Sequence, residues 1–128
     1  CIIDVDLFKP VNDRHGHIAG DEVLRGIAAI LGQHVRSEDI AARIGGEEFA
    51  VLLPESDGSV ARHFGDRVRE AIAAAAFAPG GESRRITVSI GIATLSETRA
   101  DRPSLMAAAD AALYRAKDGG RNRVCVET

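Results

Sequence analysis

Cysteine occurs only twice in 128 residues, as Cys1 and Cys125, each inside a short apolar run. So few thiols, with no secretory leader, argue against a disulfide framework, and both are expected as reduced, buried thiols. No apolar stretch approaches the roughly 20 residues that cross a bilayer, and no targeting segment is visible at the start. The expectation is a soluble, cytoplasmic domain with no membrane contact of its own, whatever anchors the parent protein. Nor is there an excess of one charge. The 16 Lys and Arg against 19 Asp and Glu leave a net charge of −3, which excludes the basic field that nucleic acid or an anionic membrane attracts. Repeats, low-complexity tracts and an interdomain linker are missing too, so residues 1–128 read as one domain.

What is present is a succession of short apolar runs and helical stripes, in a composition of 45% apolar and 27% charged residues that is ordinary for a globular chain. Residues 1–6, Cys-Ile-Ile-Asp-Val-Asp, read as a buried strand whose polar tip leaves the sheet. Leu24, Ile27, Ala28 and Leu31 recur at helical spacing behind Asp21 and Glu22, which predicts a helix from Gly20 to about Gly32. Residues 40–44 and 49–53 are apolar runs separated by Gly45-Gly46-Glu47-Glu48, a strand-turn-strand unit in which the glycine pair would supply positive φ angles. A second helix follows over 60–75, an alternating strand over 86–92, and a third helix over 105–116 that stops at Gly119-Gly120. Residues 123–126 form a last strand, and 79–81 and 96–103 read as loops.

This order is that of the split βαβ, ferredoxin-like α/β fold (an α+β sandwich). It predicts an antiparallel sheet with helices packed on it, plus an appended helix and strand. In that topology the third strand lies antiparallel between the first two, so Asp4 and Asp6 at the end of strand one should meet Glu47 and Glu48 at the start of strand three. Four converging carboxylates repel one another and raise one another's pKa, a conflict that a divalent cation relieves. Oxygen-only ligands suit Mg²⁺ completed by water and substrate phosphate. Taken alone, the cluster also reads as solvated strand-end and turn acids.

The residues around the cluster narrow this choice. Asp4-Val5-Asp6-Leu7-Phe8-Lys9, Asn12-Asp13, Gly16-His17, Gly20-Asp21-Glu22 and Gly45-Gly46-Glu47-Glu48-Phe49, in that order and spacing, resemble the GGDEF-domain diguanylate cyclases, and the match runs over residues 1–126. The resemblance implies an enzyme that uses Mg²⁺ or Mn²⁺ to condense two GTP into cyclic di-GMP with release of two pyrophosphates. It assigns the metal to Asp4, Glu47 and the backbone carbonyl of Val5. It makes Glu48 or Glu47 the candidate for helping to deprotonate the ribose 3′-hydroxyl, directly or through metal-bound water.

The same resemblance places Phe8, Lys9, Gly45 and Gly46 against the nucleotide. The Lys9 ammonium would offset phosphate charge, and the glycines would let backbone pass close to the ligand, although turn geometry alone also explains them. Asn12 and Asp21 match the positions that read guanine, since a carboxylate accepts from the ring N–H and exocyclic amine that adenine cannot present together. That favours GTP over ATP. His17 reads as a loop-shaping or hydrogen-bonding residue at the substrate rather than a metal ligand. Lys117 and Arg121 match a basic pair that grips the triphosphate, with helix-end cations as the plain alternative. Arg36 and Asp39, separated from Gly45 by residues 40–44, match the family's inhibitory product site, and Arg67 resembles an arginine that completes it in some members. Asp6 stands between a supporting and a structural role.

One such domain would hold one GTP, so the resemblance implies a homodimer of facing half-sites, each 3′-hydroxyl attacking the partner's α-phosphate. The rival reading is a catalytically silent module that binds GTP or cyclic di-GMP and regulates a partner; intact Glu47 and Glu48 argue against it. One departure stands out. Family members usually carry a helix and a Thr-Gly-Leu, Asn-Arg-Arg-type segment before the first strand, whereas this sequence starts at that strand and reads as an N-terminally shortened domain.

Overall fold

The structure is a computed structural model that describes residues 1–127. In chain order it contains β1 (Ile2–Val5), α1 (Phe8–His34), β2 (Ile40–Arg43), β3 (Glu48–Leu52), α2 (Gly58–Ala74), a 3₁₀ turn at Pro79–Gly81, β4 (Val88–Ala93), α3 (Arg102–Asp118) and β5 (Val124–Glu127). The strands form one sheet in the order β2-β3-β1-β4-β5. Strand β3 runs antiparallel to both β1 and β2 and lies between them, as the element order predicts. Strand β4 adds to β1 antiparallel, while the appended β5 joins β4 in parallel, so the sheet is antiparallel everywhere except at that edge.

Alternation along the strands sorts the two faces. Ile3, Val5, Phe49, Val51, Val88, Ile90 and Ile92 enter the main core with α1 and α2. Ile2 packs instead with Ala109 and Leu113 of α3 on the opposite face. The same period of two puts Asp4, Glu48 and Ser89 on the α3 face. Helix α3 lies very close to the sheet there: a Cβ on Gly91 would come within 2.3 Å of Ala109 O and Leu113 N. Its start is fixed by Asp101, whose side chain accepts from Ser104 N, and α2 is capped in the same way by Asp57 on Val60 N. Each such cap is worth about 1 kcal/mol. Cys1 and Cys125 are half-buried free thiols. Among the described residues no helix is long and apolar enough to cross a membrane.

Three boundaries differ from expectation, each for a local reason. Helix α1 begins at Phe8 rather than Gly20, with a break at Gly16 (φ 86°, ψ 168°). Pro10 sits in its first turn, where no intrahelical N–H is lost. The break shifts the helical phase, so the apolar residues before and after it do not form one stripe. Strand β4 begins at Val88, because the Thr87 carbonyl and hydroxyl are both taken by Asp6. Helix α3 begins at Arg102, inside the stretch expected as loop, where Pro103 occupies a first-turn position that tolerates it.

Candidate active site

The sheet register sets Asp4 directly across from Glu48. Val5 N donates to the carbonyl of Glu47 at 3.1 Å, so Glu47 is held in the turn while Glu48 opens β3. The hairpin is closed by Ile44 N on the Glu48 carbonyl at 2.9 Å, and the Arg43 guanidinium donates to the carbonyls of Gly45 and Gly46 at 3.0 and 2.7 Å. Neither glycine has a positive φ, contrary to expectation; the positive-φ glycines are Gly16, Gly80, Gly81 and Gly120. A Cβ on Gly46 would meet nothing within 4 Å. The turn therefore does not need glycine for its own geometry, and what Gly46 provides is bare, open backbone.

Asp4 is 5% exposed, and its Oδ2 lies 3.0 Å from Nζ of Lys117 in the last turn of α3. Glu47 and Glu48 are half-buried above it. Burial, then the Asp4 charge, pushes both glutamates above the usual carboxylate range, and Lys117 draws them part of the way back. At Glu48 the Asp110 charge and a hydrogen bond with Asp4 push further in the same upward direction.

Asp6 does not join this group. Its carboxylate accepts from Ser89 Oγ at 2.6 Å, Thr87 Oγ1 at 2.8 Å and Asn122 N at 3.0 Å, a clip that ties the end of β1 to β4 and to the turn before β5. That turn is conformationally costly, since Gly120, Arg121 and Asn122 all have positive φ; a non-glycine residue held there costs about 1 to 3 kcal/mol. The clip and the Asn122 side chain, which accepts from Arg69, hold it in place. With Asp6 turned away and Lys117 on Asp4, the expected meeting of four carboxylates is not made. Among the described residues no three Asp, Glu, His or Cys side chains converge as a cation site. Ser89 is fully buried in the apolar strand β4, and its hydroxyl is satisfied by this clip.

On the α1 side, Phe8 is the first helical residue and its ring is buried, so the group it can offer a ligand is its backbone N–H. Lys9 beside it is exposed, on a helix rather than in a loop. Asn12 lies against Gly20, where an added Cβ would fall 1.9 Å from its Oδ1, and that buried oxygen has no hydrogen-bond partner. Across the kink this brings Asn12 next to Asp21. Asp21 stands at a groove of about 380 Å³ between α1 and β2, floored by Leu24, Ala28 and Ala41. His17 is exposed just beyond the kink, and Arg121 is exposed in the turn after α3.

Arg36 and Asp39 form a compact pair before β2. Asp39 accepts from Arg36 N at 2.7 Å and from its Nη2 at 3.2 Å, and the guanidinium also reaches Ser56 Oγ at 3.1 Å. Burial pushes the Asp39 carboxyl up, but the Arg36 hydrogen bonds and charge outweigh it and hold the group below its ordinary range. Arg67 lines the same cavity of about 190 Å³, together with His34 and His63, two residues that the sequence reading did not single out. The one sign of them was spacing: His63 and Arg67 are four apart on α2 and so share a helix face. The pair and the Gly45-Gly46 turn sit at opposite ends of β2, about 20 Å apart along an extended chain.

The architecture is a ferredoxin-like α/β sheet with acids at the ends of β1 and β3, a groove along α1 with Asp21 and Arg25 at its rim, and a separate cavity lined by Arg36, Asp39 and Arg67 at the far end of the hairpin. A family model described as the diguanylate cyclase GGDEF domain matches residues 1–123. Diguanylate cyclase DgcP of Pseudomonas aeruginosa is 46% identical over 124 residues, covering 97% of this chain and 18% of that protein. The GGDEF domain of DgcB from Caulobacter crescentus, solved in complex with c-di-GMP, has a TM-score of 0.93 at 38% identity and covers 98% of this chain and 75% of that one. The active GGEEF domain of a diguanylate cyclase from Vibrio cholerae has a TM-score of 0.91 at 33% identity, covering 99% and 80%. The chain belongs to the GGDEF-domain family, the catalytic domain of diguanylate cyclases. It spans 34, 33 and 18% of the lengths of three curated relatives that it matches.

Proposed function

We propose that this chain condenses two GTP molecules into cyclic di-GMP and releases two pyrophosphates. One juxtaposition carries the reading: Asp4 faces Glu48 across β1 and β3, beside the open backbone of Gly46. The Vibrio cholerae domain named as active is a GGEEF domain, and residues 45–49 of this chain spell the same five letters.

Asp4, Glu47 and the Val5 carbonyl are the groups that would hold Mg²⁺ or Mn²⁺. The donor set fits a hard divalent cation, being all oxygen, with a buried Asp4 and two glutamates repelled by its charge. Such an ion, when bound, neutralises phosphate charge and makes the α-phosphorus more electrophilic. The chain's own groups do the rest. Glu48 or Glu47 takes the proton of the ribose 3′-hydroxyl, for which a raised pKa is suited. The freed oxygen bonds to the α-phosphorus of the second GTP, the bond from that phosphorus to the bridging oxygen breaks, and pyrophosphate leaves with the electron pair. A second, equivalent step closes the ring. Lys9, Lys117 and Arg121 balance phosphate charge, while Asn12 and Asp21 read the guanine edge and favour GTP over ATP.

A domain with one such site holds one of the two nucleotides, so the working species is a homodimer with sites facing. Arg36, Asp39 and Arg67 form the site at which cyclic di-GMP inhibits. The planar guanidinium fork suits guanine or phosphate oxygens, and the carboxylate suits the guanine donors. The direct test is pyrophosphate release from GTP and Mg²⁺ with identification of the product. Release with cyclic di-GMP formed is the expected result. Nucleotide binding without release would return the chain to the silent-module reading.

A further inference from the structure

The least expected feature of the site is that the buried aspartate, besides its acidic neighbours, holds a lysine as its ion-pair partner. Lys117 Nζ lies 3.0 Å from Asp4 Oδ2, with the two side chains 37% and 7% exposed. A carboxylate buried to this degree requires a cation, because an unpaired charge there is strongly destabilising. Helix α3 supplies one by running its last turn over the end of β1, on the same sheet face as Asp4 and Glu48. The other cation of that turn, Arg115, is engaged with Glu127 and the Val126 carbonyl, which leaves the Asp4 position to Lys117.

We propose that Lys117 is a place-holding cation: in the nucleotide-free protein its ammonium occupies the position on Asp4 that the divalent metal takes, and the metal gains its full affinity only when a triphosphate draws Lys117 away. The inference rests on Asp4 being a metal ligand, as argued above, and concerns what controls that ligand. An ammonium and a divalent ion cannot both sit at hydrogen-bonding distance from one carboxylate oxygen without strong repulsion. Lysine is suited to leave, since it is a point charge on a flexible four-carbon stem rather than a rigid fork. It also has somewhere to go, because a triphosphate brings several negative oxygens within reach of the same helix end. Nucleotide and metal are then coupled, and by linkage the coupling is reciprocal: each tightens the other. A bare divalent ion binds weakly, so the site assembles on the metal–nucleotide complex and not on free metal.

The test is Mn²⁺ binding to the full chain, followed by the loss of the free-ion electron paramagnetic resonance signal, with and without α,β-methylene-GTP. Lys117→Met and Lys117→Gln should each bind Mn²⁺ alone at least about tenfold tighter than wild type, a gain within the usual range of site coupling. The analogue should tighten Mn²⁺ less in these variants than in wild type. Arg121→Met removes a positive charge from the turn after α3 but not the partner of Asp4 and should leave nucleotide-free Mn²⁺ affinity within about twofold. Thermal unfolding checks that each variant is folded, and Lys117→Gln keeps a hydrogen-bond donor for Asp4 should the methionine variant fold poorly. Unchanged Mn²⁺ affinity in both Lys117 variants overturns the proposal, as does an equal gain in Arg121→Met, which would mean a general field and not a held position. Asp4→Asn separates the layers. If it abolishes Mn²⁺ binding while the Lys117 variants gain nothing, only the place-holding role fails; if it leaves Mn²⁺ binding intact, Asp4 is no ligand and both readings fall.

Discussion

Asp6 and Glu48 are acids at neighbouring strand ends, yet their surroundings give them opposite work. Every oxygen of Asp6 is committed to Ser89, Thr87 or Asn122, whereas Glu48 is half-buried with its carboxyl pushed up by burial and by Asp4. Glu48→Gln should therefore leave the thermal midpoint near wild type and lower the rate of pyrophosphate release by at least about 10²-fold, the scale of a lost proton-transfer group. Asp6→Ala should do the reverse in kind. It strands buried hydroxyl and N–H donors and releases the strained turn at Asn122, so urea unfolding should register a loss of about 2 to 4 kcal/mol, with activity falling in step with the folded fraction. At this scale the sequence was legible for the approach of Asp4 to the hairpin glutamates, because strand order brings the end of β1 beside the start of β3; the register that pairs Asp4 with Glu48 came from the structure. The sequence was not legible for Asp6, whose partners come from residues 87, 89 and 122 and which the period of two could not tell from a ligand.

Among the elements, α3 is the one whose seat leaves no margin. Gly91 presents bare backbone to it, and the atoms that a Cβ would strike are main-chain atoms of Ala109 and Leu113, which cannot rotate aside. Gly91→Ala should thus cost more than ordinary overpacking, at least about 3 kcal/mol in urea unfolding. Because Lys117 rides on the same helix, surviving folded protein should also lose the Lys117–Asp4 contact. The strands, α2 and most of α3 could be read from periodicity, since each keeps one phase from end to end. Helix α1 could not be read in full. Gly16 breaks its phase, and a reading that follows one stripe finds only the half beyond the break. The half before the break carries Phe8, Lys9 and Asn12, which a helix starting at Gly20 leaves out although they stand on α1. The Gly45-Gly46 pair misled in another way. Two glycines between strands signal a positive-φ turn, but here both have ordinary backbone angles and the absent side chains serve openness.

For the molecule as a whole, the proposed reaction requires two domains, and one chain supplies one face of it. Activity per chain should rise with protein concentration in the dilute range. Fusion to a parallel coiled coil should remove that dependence, since tethering sets an effective concentration near ~1 mM; initial rates measured over a dilution series check both. A rate per chain that is flat with dilution in the untethered protein would contradict the two-chain mechanism. The position of β1 has a different consequence, felt before any of this chemistry. It is the first strand in the chain and the central one in the sheet, with Ile2 paired to Ala50 on one side and to Gly91 on the other. A ribosome delivers it before either neighbour exists, and its edge toward β4 stays unpaired through the synthesis of both the hairpin and α2. Folds assembled from such distant pairings form slowly and pass through sticky intermediates. The yield of this domain in a cell should accordingly follow the supply of chaperones during translation more closely than the stability of the finished protein.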